Sequence, residues 1–209
     1  NLRAPLTSIM GIVQILSEVE AEEERQGFVE LIGKSIHKLD ETIQEISDYS
    51  RNSRVDLQVA PINFHQIIAE TKESLSFMEK ASQLQYRVEV TEQLDFYSDL
   101  SRIKIIFNNL MSNAVKYMNT RSAEPYISVR ISKATQGVNM VVEDNGIGIK
   151  QEHLSRIFDM FFRATTQATG SGLGLYIVKE AVNRLKGDIS ISSQQGLGTR
   201  FDIYLPDLR

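Results

Sequence analysis

Two glycine clusters constrain the fold of this 209-residue chain more than any other feature. The first, DNGIGI, occupies residues 144–149 after an apolar strand pattern, and the second, GSGLGL, occupies residues 170–175 before the amphipathic helix pattern YIVKEAVNRLK. Gly146 and Gly148 permit a positive φ and a close backbone approach. Glycines at the start of a helix present backbone N–H groups to an anion. Together the clusters predict a pocket that suits a base at one end and phosphates at the other.

A third motif lies upstream, in the helical pattern DLSRIKIIFNNLMSNAVKYM of residues 99–118. Asn109 and Asn113 are four residues apart on one face, with Lys116 one turn beyond Asn113. Asparagine is a poor helix-interior residue, so two on one face indicate a ligand. Amide oxygens suit Mg²⁺, and the Lys116 ammonium suits phosphate. The apolar stripe of this helix is formed by Ile103, Ile106, Phe107, Leu110, Ala114 and Met118.

Each motif alone has a plainer interpretation. A lone DNG is usually a surface turn, and two helical asparagines can simply be solvated. Neither glycine cluster has the Walker spacing GxxxxGK[ST], and GSGLGL lacks the GxGxxG spacing of a dinucleotide fold. The two glycine clusters become a specific signal only together with the asparagine motif upstream. Asp144 stands at a strand end, where a carboxylate can accept a hydrogen bond from adenine N6.

Five motifs in order resemble the boxes of the sensor histidine kinases, the two-component enzymes whose ATPase domain has the Bergerat fold. NNLMSNAVKY resembles the N box, VEDNGIGI the G1 box, IFDMFFR the F box, GSGLGLYIVK the G2 box and GLGTRF the last glycine box. The resemblance implies an α+β chain, in which a helical hairpin that forms a dimeric four-helix bundle precedes an α/β sandwich of the Bergerat type.

The resemblance also assigns roles to residues. It implies that Asp144 selects adenine, that Asn113 holds Mg²⁺ through the ATP phosphates, and that Asn1, Lys116 and Arg163 assist catalysis. The residues expected to bind ATP are Asn109, Asn113, Lys116, Tyr117, Asp144, Gly146, Gly148, Ile149, Phe158, Gly170, Ser171, Gly172, Leu173, Gly174, Leu175 and Thr199. Phe158, Phe161 and Phe162 are expected to anchor a lid that orders over the nucleotide.

The segment NLRAPLTSI at the start resembles the H box, in which the phosphoacceptor histidine stands immediately before the position of Asn1. We therefore expect the acceptor one residue before this sequence begins. His37, His65 and His153 are not followed by an LRxPL pattern and are interpreted as structural or surface residues. Asn1 is a poor base, and Ala4, where relatives with phosphatase activity carry a polar residue, predicts weak phosphatase activity.

Residues 1–50 predict two helices with heptad-like apolar seams, separated by AEEERQG at residues 21–27. Two helices cannot bury both seams, so a homodimeric four-helix bundle is expected. We place the dimerisation domain at residues 1–53 and the ATP-binding domain at 54–209, with RNSRVDLQVAP, residues 51–61, as the linker. The linker precedes a helix over residues 64–82, a strand, the Asp99-capped N-box helix, two strands, a helix to Lys186 and two final strands.

Composition excludes several classes of protein. The net charge of −4 and the lack of a basic run argue against a nucleic-acid partner. The absence of cysteine excludes disulfides and zinc-thiolate sites and agrees with a reducing compartment. No apolar run has the length of a membrane span. A cytosolic location is therefore expected, with membrane attachment only through further segments upstream.

The resemblance implies autophosphorylation on histidine with MgATP, then transfer to an aspartate of a response regulator that docks near residues 6–10. Two alternatives remain open. One is an ATP hydrolase of the same superfamily, which typically carries a glutamate four residues before the metal-binding asparagine, where this chain has Asn109. The other is a nucleotide-binding scaffold that signals by dimer contacts without transferring phosphate.

Overall fold

The computed structural model describes residues 3–16, 21–54, 56–78, 80–120, 122–164 and 171–209. The chain divides into two compact units, residues 1–50 and residues 51–209. The predicted α+β class is confirmed, since a helical N-terminal part precedes a mixed α/β sheet unit. Within the described residues, no helix is long and apolar enough to cross a membrane.

The first unit consists of helix α1, Arg3–Leu16, and most of helix α2, Glu22–Arg54. Two boundary predictions are wrong here. AEEERQG is not the break between the helices, because α2 already begins at Glu22, and consecutive acidic residues at a helix start interact favourably with the helix dipole. The predicted linker also begins too early, because α2 continues to Arg54.

The second unit is built on a five-stranded sheet in the order β2-β4-β5-β7-β6. Its strands are β2, Gln85–Val90; β4, Tyr126–Ala134; β5, Gly137–Asp144; β6, Asp188–Gln194; and β7, Gly198–Pro206. β2 pairs with β4 in parallel, and the other pairs are antiparallel. A separate two-stranded antiparallel sheet joins β1, Val59–Pro61, to β3, Tyr97–Asp99.

Three longer helices accompany this sheet: α3, Phe64–Leu75; α4, Leu100–Lys116; and α6, Gly174–Arg184. A short helix, α5, spans Gln151–Leu154, and a 3-10 turn spans Ala81–Gln83. The prediction of a helix over residues 64–82 is wrong beyond Leu75. There the Ser76 hydroxyl and N–H both donate to the carbonyl of Glu73, which closes the last turn.

The core of the second unit lies between one face of the five-stranded sheet and the helices. The predicted apolar stripe is buried from Ile103 to Ala114 on α4, and Met118, just beyond the end of the helix, is buried as well. Alternate sheet residues such as Val142 and Phe201 pack against it, while their strand neighbours Glu143 and Arg200 face outward. This packing leaves the ends of β5 and α4 next to each other.

Candidate nucleotide-binding site

Helix α4 carries the first part of the site. Asp99 caps it by accepting a hydrogen bond from the N–H of Arg102, as predicted. Asn109, Asn113 and Lys116 are half-buried. Asn109 donates from Nδ2 to the carbonyl of Ile105 at 2.9 Å.

The N box lies directly against the start of α6. A Cβ added at Gly174 would lie only 2.7 Å from Oδ1 of Asn109. A larger residue at this position would have to displace the Asn109 amide, so glycine lets the first turn of α6 approach it. The contact brings together two residues that the sequence analysis placed in one pocket.

Asp144 of the G1 box is the last residue of β5 and pairs in register with Thr199 of β7. Its Oδ1 accepts a hydrogen bond from the N–H of Gly146 at 2.8 Å. Burial raises the pKa of Asp144 to about 6, although backbone hydrogen bonds from Gly146 and Thr199 act to lower it. At neutral pH the group is thus mainly an ionised, partly desolvated carboxylate, which is a strong hydrogen-bond acceptor.

The G1 loop is fastened to the end of α4. The N–H of Ile147 donates to the carbonyl of Tyr117 at 2.9 Å, and a Cβ at Gly146 would lie 2.5 Å from the same oxygen. Gly148 has a φ of +64°, and a Cβ there would overlap the carbonyl oxygen of Gln194. Of the two glycines, Gly148 needs the left-handed conformation and Gly146 needs the space.

The last glycine box supports the G1 loop from the other side. Ser193, on β6, accepts a hydrogen bond from the N–H of Ile149 at 2.9 Å and donates to the carbonyl of Gly198 at 2.7 Å. Its hydroxyl also lies 3.0 Å from Oγ1 of the buried Thr199. The sequence analysis missed Ser193, because a serine in an edge-strand pattern such as DISISSQ carries no signal of its own.

Known proteins share this arrangement of boxes. The family described as "Histidine kinase-, DNA gyrase B-, and HSP90-like ATPase" matches residues 98–209, and "His Kinase A (phospho-acceptor) domain" matches residues 1–54. The chain belongs to the sensor histidine kinase family. The sequence-based identification of the family is thereby confirmed, and the second unit is of an ATPase type.

One relative aligns with almost the whole of this chain and is itself much longer. Aerobic respiration control sensor protein ArcB of Escherichia coli is 30% identical over 214 residues, which cover 98% of this chain and 27% of ArcB. The chain therefore spans little more than a quarter of that relative.

Two solved structures share the fold. Histidine kinase AdeS of Acinetobacter baumannii superposes with a TM-score of 0.78 at 21% identity, covering 100% of this chain and 98% of AdeS. Histidine kinase ThkA, in complex with response regulator protein TrrA, superposes with a TM-score of 0.74 at 23% identity, covering 99% of this chain and 58% of that one. At these identities the likeness concerns the fold alone.

In this kinase family member, the F box and the G2 box are joined by backbone contacts. The N–H of Phe161 donates to the carbonyl of Gly172 at 3.0 Å. Gly172 has a φ of +81°, and a Cβ there would lie 2.8 Å from the carbonyl carbon of Phe161. Next to it, the buried Ser171 accepts a hydrogen bond from the N–H of Leu173. Gly170 lies outside the described residues, as does Asn1 at the other end of the chain.

The phenylalanines of the F box divide into two groups. Phe158 and Phe162 are half-buried against the core, whereas Phe161 is 48% exposed. The ring of Phe162 lies 5.7 Å from that of His153 and 4.6 Å from the guanidinium of Arg156. His153 is thus a packing partner of Phe162 in the F box, in line with its interpretation as structural. Arg163 is exposed.

Asn145 is a second residue whose role the sequence analysis missed. Its Oδ1 accepts from the N–H of Tyr126 at 2.8 Å, and its Nδ2 donates to the carbonyl of Glu124 and the hydroxyl of Ser122. Asn145 therefore ties the segment before β4 to the G1 loop. Its position inside the DNG motif was a signal, but the sequence does not say which partners the amide takes.

A cavity of about 410 Å³ opens near Asp144, on the other face of the sheet. Its polar lining includes Tyr126, Glu143 and Arg200, which alternate with buried core residues. Glu143 accepts hydrogen bonds from the Tyr126 hydroxyl and from Arg130 and Arg200. Asp144, Ser193 and Thr199 also line this cavity, so it borders the residues that hold the G1 loop.

Proposed function

We propose that the chain is the catalytic core of a two-component sensor histidine kinase, which phosphorylates a histidine with MgATP and passes the phosphoryl group to an aspartate of a response regulator. The observation that carries the proposal is that residues of three boxes lie against one another. Asn109 of the N box touches Gly174 of the G2 box, and Ile147 of the G1 box is bonded to Tyr117 at the end of α4. Membership of the family supplies the reaction class.

Asp144 is proposed to select adenine. Its carboxylate is held at a fixed strand end by the N–H of Gly146 and retains acceptor capacity for an exocyclic amine. Gly146, Gly148 and Ile149 give the loop its shape, and Thr199 supports Asp144 from the neighbouring strand.

The phosphate end is proposed to comprise Asn109, Asn113, Lys116 and the backbone of the G2 box through Leu175. Within the described ranges, no three His, Cys, Asp or Glu side chains come together as a metal site. Mg²⁺ would therefore be held by the Asn113 amide oxygen together with phosphate oxygens and water, a shell that this ion accepts. Bound MgATP supplies the phosphoryl group that is transferred. The chain's own residues position it and offset its charge, which is most of what phosphoryl transfer needs.

The lid is proposed to close over the phosphates from the F box. Phe158 and Phe162 anchor it to the core, and the exposed Arg163 directly follows Phe162 in the sequence. An arginine here can neutralise phosphate charge without a large movement of the anchored rings.

Residues 1–53 are proposed to dimerise and to carry the acceptor region, and residues 54–209 to bind ATP. The exposed apolar side chains of α1 and α2 support the homodimer. Leu6 and Met10, exposed by 50% and 70%, support docking of a response regulator on α1. The structure of ThkA with a response regulator is a precedent within the fold.

The test is autophosphorylation with γ-labelled ATP and Mg²⁺, on this chain and on the same chain with a histidine placed before Asn1. We expect acid-labile label on the histidine-bearing protein and none on the other. Asn113→Ala in the labelled protein should abolish transfer while adenosine still binds. Normal transfer by this variant would contradict the metal assignment.

Two outcomes would favour the alternatives. ATP binding without label on either protein would indicate a nucleotide-binding scaffold. Release of inorganic phosphate from ATP at a steady rate, without protein labelling, would indicate a hydrolase, although Asn109 lacks the basicity to activate water.

A further inference from the structure

The carboxylate of Asp99 gathers an unusual number of donors for one buried side chain. It accepts hydrogen bonds from the N–H of Gln58 at 2.8 Å, the hydroxyl of Ser101 at 2.5 Å, and the N–H and Nη1 of Arg102 at 3.0 and 2.7 Å. Asp99 and Arg102 are each 2% exposed. Burial acts to raise the pKa of Asp99, but the hydrogen bonds from Ser101, Gln58 and Arg102 outweigh it and leave the pKa below its ordinary value.

One of these donors comes from a distant part of the sequence. Gln58 belongs to the segment between the end of α2 at Arg54 and the start of β1 at Val59. β1 then pairs with β3, with Val59 opposite Asp99. The segment that leads from α2 into the second unit is therefore fastened to the N-terminal cap of α4.

The other end of α4 is held as well. The carbonyl of Tyr117 accepts from Ile147 in the G1 loop, and Asn109 lies against Gly174 without room for a Cβ. Asn109 and Asn113 lie on α4 between its two attachment points, which are the Asp99 cap at the start and Tyr117 at the end. Because Asn109 lies beside Gly174, a shift of α4 along its axis would displace Asn109 relative to the G2 box.

We propose that Asp99 is a positioning residue, which couples the Gln58 segment to the placement of Asn109 and Asn113 for the triphosphate of ATP. The proposal rests on the proposed function, since it assigns these asparagines to the phosphate end. Through this bond, a change in the segment after α2 is carried to the nucleotide site. Asp99 acts through the helix and does not touch the nucleotide.

The adenine end offers an internal reference. Asp144 lies on β5 and pairs with Thr199 of β7, so the sheet fixes its position, and α4 reaches it only indirectly, through the bond from Ile147 to Tyr117. Loss of the Asp99 attachment should therefore weaken binding of MgATP and leave binding of adenosine unchanged. General destabilisation of the unit would weaken both.

The experiment compares Gln58→Pro with Gln58→Ala. Proline removes the N–H that donates to Asp99 and leaves the cap of α4 intact, whereas alanine keeps the N–H and changes only an exposed side chain. By calorimetry, we expect Gln58→Pro to weaken MgATP binding about fivefold or more, in the range of ordinary coupling between sites. Adenosine affinity should stay within about twofold, and Gln58→Ala should match the parent chain. If Gln58→Pro weakens the binding of MgATP and adenosine equally, or weakens neither, the proposal is overturned.

A second measurement needs no variant. Coupling is reciprocal, so MgATP should slow amide hydrogen exchange at Gln58 about fivefold more than adenosine does. The amide of Gln85, which donates to the carbonyl of Pro125, serves as reference. Equal protection of the Gln58 amide by both ligands would refute the coupling, even if Gln58→Pro did not fold. Failure of the parent chain to bind MgATP would instead refute the proposed function.

Discussion

The two units of this chain differ in how completely each buries its own apolar residues. The second unit encloses a continuous core in which residues such as Ile106, Phe107 and Val138 are fully buried. The helices of the first unit expose large apolar side chains by 42% to 70%, namely Leu6, Met10, Val13, Ile15, Val29, Leu31, Ile36, Ile43 and Ile46. The ATP-binding unit is thus self-sufficient as a fold, whereas the helical unit needs a partner surface.

This difference indicates what each unit is built to do. A pocket for a small ligand needs elements fixed by their own core, since a positional error of about 1 Å at a reacting group is costly. A helical surface that is proposed to bind a second copy and a transient partner must keep apolar side chains outside. Each of the following predictions disturbs one side of this comparison and leaves the other intact.

The largest effect is expected from charges on the exposed stripe of α2. Ile36 and Ile43 are 54% and 56% exposed. Changing both to aspartate should weaken the proposed dimer on the order of a thousandfold or more, because four buried isoleucines are lost per dimer. Sedimentation across the micromolar range would show a monomer, while nucleotide affinity should not change.

Lys34→Asp is the control, since Lys34 is exposed on the same helix two residues before Ile36. It should remain dimeric. A parent chain that is already monomeric across the same range would contradict the interpretation of the stripe.

The second prediction disturbs the other unit. Gly148→Ala places a Cβ against the carbonyl of Gln194 and requires a φ of +64° from alanine. We expect a loss of about 3 kcal/mol or more in the free energy of unfolding, since backbone must move. Gly196→Ala separates the two causes, because Gly196 has a φ of +84° but nothing within 4 Å. It should cost only about 1 kcal/mol. If urea unfolding shows similar losses of stability for Gly148→Ala and Gly196→Ala, crowding by the added Cβ is not the cause of the loss at Gly148.

The third prediction concerns Asp144, a buried carboxylate whose ionisation destabilises the second unit. The pKa of Asp144 is about 6 in the folded protein, above its ordinary value of about 3.9. Asp144 therefore contributes most favourably to the free energy of folding below about pH 4, and this contribution is lost as the pH rises towards 6. Above pH 6 the ligand-free protein carries the full cost of a desolvated charge.

Asp144→Asn should remove that cost. At pH 8 we expect the ligand-free variant to be more stable than the parent by about 3 kcal/mol, with the difference vanishing near pH 4. Nucleotide affinity should fall strongly at the same time. Urea unfolding at pH 4, 6 and 8 measures the first effect. A variant that is less stable at pH 8 would show that the carboxylate stabilises the apo fold.

The sequence predicted the elements of the second unit well, because its periodic patterns coincide with burial. The stripe from Ile103 to Met118, the Asp99 cap and the strand patterns YISVRIS and GVNMVVED all occur as expected. Boundaries were less predictable where polar residues continue a helix, as at Glu22 and Arg54, or end one, as at Ser76. In those segments local hydrogen bonds decide the outcome, and hydrophobic periodicity does not report on them.

The candidate site was predictable where its chemistry lies in unusual residues, such as Asp144 or the paired asparagines. It was not predictable where ordinary polar residues support the site over long sequence separations. Ser193, Asn145 and the bond from Gln58 to Asp99 join segments from 19 to 44 residues apart. Such contacts follow from the tertiary fold, and one sequence gives no pattern for them.

The smallest predicted effect separates two serines that flank Asp99. The Ser98 hydroxyl is fully buried and has no hydrogen-bond partner, whereas the Ser101 hydroxyl donates to Asp99. Ser98→Ala should leave the free energy of unfolding unchanged or raise it by up to about 1 kcal/mol, because a desolvated hydroxyl without a partner is costly. Ser101→Ala should lower it by about 1 kcal/mol, since it removes a hydrogen bond to a charged group. Ser101→Ala should therefore lower the urea midpoint of unfolding, whereas Ser98→Ala should leave it unchanged or raise it. A clear loss of stability in Ser98→Ala would mean that the buried Ser98 hydroxyl makes a stabilising interaction, so that the core of the second unit has no unsatisfied polar group at this position.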